Sequence, residues 1–223
     1  MTNQKENTMK VMRCLLAGMF ALLLFSSNVM AAEKNAVIFD AMSPYEDLTE
    51  YALDKNNSKV ADSILSLDGL IAKLKDSLPN ESMQNLDINI KKMQAAEKEK
   101  DYSEIALLAV DSYKILADKL DQTTLTVPKQ VVMLDYVGFK IHALLGKNEI
   151  DWPLILETVD EGKKQWEQVK VKVTYRGLYD SVDTTITGLE RAAASKNIDM
   201  LKFAAQVDLD LVDLLEGFFE KKE

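Results

Sequence analysis

Hydrophobic residues recur along most of the chain at the three- and four-residue spacing of a buried helix face. One such stripe, spaced alternately by four and three residues, consists of Val60, Ile64, Leu67, Ile71, Leu74 and Leu78. A second stripe with the same alternation runs from Trp152 to Val173 and includes Gly162 and Trp166. This spacing places each set on one side of an α-helix, while charged residues fill the other sides. The pattern predicts long amphipathic helices, and we find no convincing run of strands.

Capping residues divide this pattern into about eight helices. Ser43, followed by Pro44 and Glu46, has the order of a capping box with proline at the first helical position. Further helices are expected to begin near Asn80, Asp101, Asp151 and Asn197. Short connections between helices favour antiparallel neighbours. We therefore predict an all-α fold, an antiparallel helical bundle of about eight helices.

The order of the turns indicates two similar four-helix halves. The dipeptide Lys55–Asn56 recurs as Lys147–Asn148 after 92 residues, and Asp87 recurs as Asp183 after 96. The longest break, residues 122–128, falls near the middle. An ancient duplication explains these matches; the alternative is that any two heptad-patterned segments align this well. We predict a first helical half over residues 32–122 and a second over 123–223, which can pack as one domain.

The first 31 residues have the composition of a secretory signal peptide. Three basic residues precede a run of twelve apolar residues, Cys14 to Phe25, which is too short to span a hydrocarbon core of about 30 Å. Val29 and Ala31 supply small residues at the positions that cleavage after Ala31 requires. These features predict export to a bacterial periplasm and no membrane span after cleavage.

Charge and composition exclude several function classes. The chain has 36 acidic and 27 basic residues and a formal net charge of -9, which argues against nucleic acid as a partner. One cysteine and one histidine are too few for a Cys–His zinc cluster or a paired-histidine zinc motif. The nucleophile elbow, the phosphate-binding loop and the dinucleotide fingerprint are all missing from the sequence. A non-catalytic binding or protein-interaction module is therefore favoured over an enzyme.

Candidate chemistry concentrates in the second half. The segment Val131 to Leu145 is apolar on nearly every side, so we expect a helix buried among other helices. Its Asp135 and His142 are seven residues apart and therefore share a face. Asp208 occupies a hydrophobic position of the last helical stripe, where a carboxylate is costly unless it is paired. We expect Asp208 to face His142 or Lys140 across the core.

The sequence gives two possible counterparts of Asp208 in the first half. Heptad phase matches Asp208 with Ser112, whereas residue identity matches it with Asp111. The two alignments differ by one residue, which rotates a helical side chain by about 100°. The sequence therefore leaves open which residue of the first half occupies the corresponding place.

Four residues are the candidate ligand-binding set: Asp135, His142, Trp166 and Asp208. Trp166 is included because Gly162, one turn earlier on the same stripe, leaves a gap that is either a small pocket or a close helix crossing. The predicted partner is an unknown small ligand or a protein. The alternative interpretation is structural, with His142 hydrogen-bonded to a core carboxylate.

Two alternative functions rest on the single histidine. His142 and a methionine supply the atoms of a haem site, so a periplasmic haem or metal carrier is the first alternative. An enzyme with an acid–base site at Asp135, His142 and Asp208 is the more remote one. Apart from these alternatives, no cofactor is expected.

Overall fold

Eight α-helices make up most of the part of the chain that the computed structural model describes, residues 29–221. They are α1 (residues 29–53), α2 (Asn57–Leu74), α3 (Asn80–Glu99), α4 (Tyr102–Ala117), α5 (Lys129–Leu145), α6 (Trp152–Val169), α7 (Arg176–Ala194) and α8 (Ile198–Glu220). Short 3-10 turns, Gln122–Thr124 and Lys170–Lys172, follow α4 and α6. Within residues 29–221 there is no strand, so the predicted all-α bundle is confirmed.

The predicted signal peptide lies almost entirely outside the described residues. Only its last three positions, residues 29–31, are described, and they are part of α1. The described helices include no segment with both the length and the hydropathy of a membrane span.

Helix α5 is the centre of the packing, as its apolar sequence predicts. It contacts α4, α6 and α8, while α6 packs on α7 and α7 on α8. The four helices of the second half therefore form a closed ring. In the first half α2 packs on α3 and α3 on α4. Because α5 has neighbours on several sides, nearly all of its side chains are buried.

The helix start predicted at Ser43 is wrong. The helix runs without interruption from residue 29 to 53, so Ser43 and Pro44 lie in its interior. Its buried stripe spans the proposed boundary and comprises Ile38, Ala41, Met42, Tyr45, Leu48 and Ala52. Burial of this continuous apolar face outweighs the proline, which removes a single hydrogen bond, from its own missing N–H to the Asp40 carbonyl.

The predicted caps at the later helix starts are mostly present. The side chains of Asp101, Asp151 and Asn197 each accept a hydrogen bond of 3.0 Å from the backbone N–H three residues on. Asn80 is the exception, because Pro79 occupies the N-cap position and Asn80 is the first helical residue. Side-chain caps satisfy N–H groups that have no partner within the helix.

The same turn joins α3 to α4 and α7 to α8. Lys100 and Lys196 have φ angles of 56° and 53°, and each is followed by the capping residue of the next helix. In both turns the two N–H groups bond back to the last helical carbonyls in the Schellman pattern. These two turns are 96 residues apart, and the division into two similar halves stays a prediction from the sequence.

This spacing decides the register that the sequence leaves open. Ninety-six residues before Asp208 stands Ser112, and both side chains are fully buried. The neighbouring core positions follow the same offset, since Ile105, Ala109 and Leu116 correspond to Leu201, Ala205 and Val212, all of them buried. Asp208 therefore stands where the first half has a serine.

Candidate functional site

A cleft of about 470 Å³ lies between helices α1, α5 and α8. Five carboxylates line it: Glu50 from α1, Asp54 from the turn that follows α1, Asp135 from α5, and Asp210 and Asp213 from α8. His142 and Gln206 add neutral polar groups, and Leu53, Phe139 and Leu209 form its apolar surface. The cleft thus combines negative charge with a hydrophobic wall.

The distribution of charge in this cleft is one-sided. No lysine or arginine of residues 29–221 is among the side chains that line it. Asp54 follows Glu50 by four residues, in the turn just after α1, and its N–H still donates to the Glu50 carbonyl, so the two lie on the same side. Like charges on facing helices repel one another, so a positive ligand would be stabilised here.

Asp135 is the most strongly perturbed carboxyl of the cleft. Tyr113 of α4 donates a hydrogen bond of 3.1 Å from its hydroxyl to Asp135 Oδ2. Burial, reinforced by the negative charges of Glu46 and Glu216, raises the pKa of Asp135 well above its usual range. The Tyr113 hydrogen bond opposes this shift in the pKa only in part. Asp135 is therefore poised to hold a proton unless a cation comes near.

His142 lines the same cleft, on the face of α5 that it shares with Asp135. Burial and the positive charge of Lys202 lower the pKa of His142, which keeps the imidazole neutral at pH 7. Its Nε2 atom is buried and has no hydrogen-bond partner among the described residues. A neutral imidazole adds no positive charge to the cleft.

Asp208 is fully buried, but it does not form the predicted pair with Lys140 or His142. Lys140 bonds to Asp111 of α4 instead. Neither carboxylate oxygen of Asp208 has a hydrogen-bond partner among the described residues. Burial without a partner raises the pKa of Asp208 to about 8.

The first half shows what Asp208 lacks. Ser112 donates a hydrogen bond of 2.8 Å to the Leu108 carbonyl and accepts one of 3.1 Å from the Asn89 amide of α3. At the position of Asn89 the second half has Thr185, whose hydroxyl donates to the Ser181 carbonyl of its own helix at 2.9 Å. No side chain of α7 hydrogen-bonds to Asp208, so burial favours the protonated form of this carboxyl.

Trp166 does not belong to the cleft. Its indole N–H donates a hydrogen bond of 3.0 Å to Asp183 of α7, and its ring centroid lies 5.5 Å from that of Tyr179. The side chain is buried between α6 and α7, so its polar atom is already satisfied. Of the four candidate residues, the structure brings Asp135 and His142 together in the cleft. Asp208 lies near enough to influence Asp135 but does not line the cleft.

The candidate set from the sequence did not include Glu50, Asp54, Asp210 and Asp213, which supply four of the five cleft carboxylates. The four-residue spacing of Glu46, Glu50 and Asp54 was a usable signal, because it is a helical stripe. The spacing alone does not show that this stripe faces another helix. Exposed acidic stripes are common on helix surfaces, so only packing distinguishes the two cases.

The residues that the structure describes include no group of three or more histidine, cysteine, aspartate or glutamate side chains arranged to hold a metal ion. The haem or metal carrier and the acid–base enzyme stay predictions from the sequence. Comparisons with protein-family models, with curated proteins and with solved structures find no match to this chain.

Proposed function

We propose that the protein is an exported, non-catalytic binding module, and that its cleft between α1, α5 and α8 takes an aliphatic polyamine. One observation carries the proposal: carboxylates from three helices line a cleft to which the described residues contribute no basic side chain. Export rests on the signal-like composition of residues 1–31.

The charge of the cleft favours a ligand with several positive groups. Two unit charges 4 Å apart attract with about 1 kcal/mol in water and about 4 kcal/mol near a protein surface. Glu50 of α1 and Asp213 of α8 are exposed, so an ammonium group placed between them gains from both. A ligand with two or more such groups interacts with several carboxylates at once.

The apolar wall favours an aliphatic chain over a hydrated metal ion. Leu53, Phe139 and Leu209 present hydrocarbon beside the carboxylates, and each methylene that they cover contributes up to about 0.8 kcal/mol. A hydrated divalent ion gains nothing from such a surface and prefers several convergent oxygen ligands. A polyamine carries both kinds of group in one flexible molecule.

Isothermal titration calorimetry of the purified protein with spermidine tests the proposal. We expect a dissociation constant below about 1 mM, which corresponds to more than about 4 kcal/mol. The uncharged 1,6-hexanediol, which has a comparable hydrocarbon chain, is expected to bind at least tenfold more weakly. Equal binding of the two compounds would contradict the electrostatic argument.

A matched pair of double variants locates the site. Glu50→Gln with Asp213→Asn removes one charge from each facing helix of the cleft, and we expect spermidine affinity to fall at least tenfold. Asp62→Asn with Asp68→Asn removes the same total charge from exposed positions of α2 and should change affinity less than twofold. If both double variants weaken binding equally, spermidine responds to net charge only, and the proposed site is wrong.

A further inference from the structure

Beside the cleft, carboxyl groups from three helices meet around one tyrosine. We define the carboxyl cluster as Glu46 of α1, Asp135 of α5 and Glu216 of α8. The Tyr113 hydroxyl donates to Asp135 Oδ2 at 3.1 Å, and Glu46 is close enough to interact with the same hydroxyl. Tyr113 is almost fully buried, whereas each member of the cluster is partly exposed. Asp135 belongs to both the cluster and the cleft.

The groups that face the cluster are almost all acidic. From α1 they are Asp47 and Glu50, from α4 Tyr113, and from α8 Asp208, Asp213 and Glu220. Burial and the neighbouring negative charges both disfavour the ionised form of each carboxyl in the cluster. When no cation is bound, protons on the carboxyl groups neutralise part of this negative charge.

We propose that a cation entering the cleft displaces a proton from the carboxyl cluster to the solvent, so that cation binding and proton release are coupled. This inference rests on the proposed function, whose ligand it places in competition with protons. Asp135 is the connection, because it lines the cleft and its carboxyl also accepts the hydrogen bond from Tyr113 within the cluster. A positive charge beside Asp135 stabilises its ionised form and the ionised form of its neighbours.

This exchange conserves both protons and charge. One H⁺ leaves a carboxyl of the cluster, and one positive charge of the cation takes its place. Burial, with a further contribution from the charge of Glu216, raises the pKa of Glu46 to about 7, so the cluster is partly protonated at neutral pH. Tyr113 remains protonated throughout, since burial and the neighbouring carboxylates raise its pKa well above the usual range.

Coupling of this kind makes the affinity depend on pH. For each proton displaced, the affinity for the cation rises up to about tenfold per pH unit, until the cluster is ionised before binding. Between pH 6 and pH 7.5 spermidine should therefore bind progressively more tightly. Acidification would release it without any change in the fold.

Calorimetry in buffers of different ionisation enthalpy counts the protons directly. Spermidine titrated into the wild-type protein at pH 7 should release about 0.5 to 1 proton for each molecule bound. In Glu46→Gln, which does not alter a residue that lines the cleft, spermidine should still bind, and proton release should fall by at least half. Asp62→Asn, on the exposed side of α2, is the matched control and should release as many protons as the wild type.

Tyr113→Phe provides a second variant, should Glu46→Gln fold poorly. It removes the donor that stabilises ionised Asp135, so the pH at which affinity levels off should move upward. Binding without proton release in the wild type, or unchanged release in Glu46→Gln, overturns the coupling and leaves the proposed function intact. Absence of spermidine binding overturns the proposed function and the coupling with it.

Discussion

Replacing Asp208 with asparagine should flatten the dependence of stability on pH. The folded protein holds the proton of Asp208 up to a pKa of about 8, against 3.8 for an ordinary aspartate. A folded pKa above the unfolded one means that this contribution to stability is complete below the unfolded pKa. It is then lost as the pH rises towards the folded pKa.

The magnitude follows from the two values. Between the unfolded and the folded pKa of Asp208, the free energy of unfolding falls by about 1.4 kcal/mol per pH unit, or about 3 kcal/mol from pH 5 to pH 7. Asparagine has nearly the same shape but does not titrate, so Asp208→Asn lacks this term. Asp208→Ser copies the residue that the first half has at this position, and it should show the same loss of pH dependence.

Urea unfolding followed by circular dichroism at pH 5, 6, 7 and 8 measures the effect. The difference in unfolding free energy, wild type minus Asp208→Asn, should fall by about 3 kcal/mol between pH 5 and pH 7. Subtracting the variant removes the contribution of Asp135, Glu46 and Glu216, which titrate in both proteins. Two parallel curves, within about 0.5 kcal/mol, would show that Asp208 is ionised or paired in the folded state and would refute the reasoning.

Two backbone positions give further predictions, each with an internal control, and urea unfolding measures both. Gly162→Ala should lower the free energy of unfolding by about 1–3 kcal/mol, because the new Cβ would lie 2.9 Å from Val137 Cγ1. Gly69→Ala is the control: its Cβ would meet nothing within 4 Å, so the free energy of unfolding should rise by about 0.5–1 kcal/mol. Lys100→Gly should raise the free energy of unfolding by about 0.5–1 kcal/mol, because Lys100 has a φ of 56°. Lys92→Gly, inside α3, should lower the free energy of unfolding by about 1 kcal/mol. The opposite sign in either pair would contradict these assignments.

Helical periodicity is a local property of the chain, whereas helix packing depends on residues far apart in the sequence. The helices could be predicted because their spacing is a property of contiguous residues, and the sharing of one face by Asp135 and His142 is of the same kind. The helix start at Ser43 was wrong because a local capping signal competed with an apolar stripe that continues through Pro44. Burial of a whole helix face contributes more than one cap.

The sequence by itself determined an all-α chain with one strongly buried helix and an unusual carboxyl at Asp208. The tertiary structure alone decided what these residues meet. It placed Asp111 against Lys140, left Asp208 without a hydrogen-bond partner among residues 29–221, and lined one cleft with acidic residues from α1, α5 and α8. The physical reason is that helical periodicity fixes which residues share a face, while the rotation and order of the packed helices fix which faces meet.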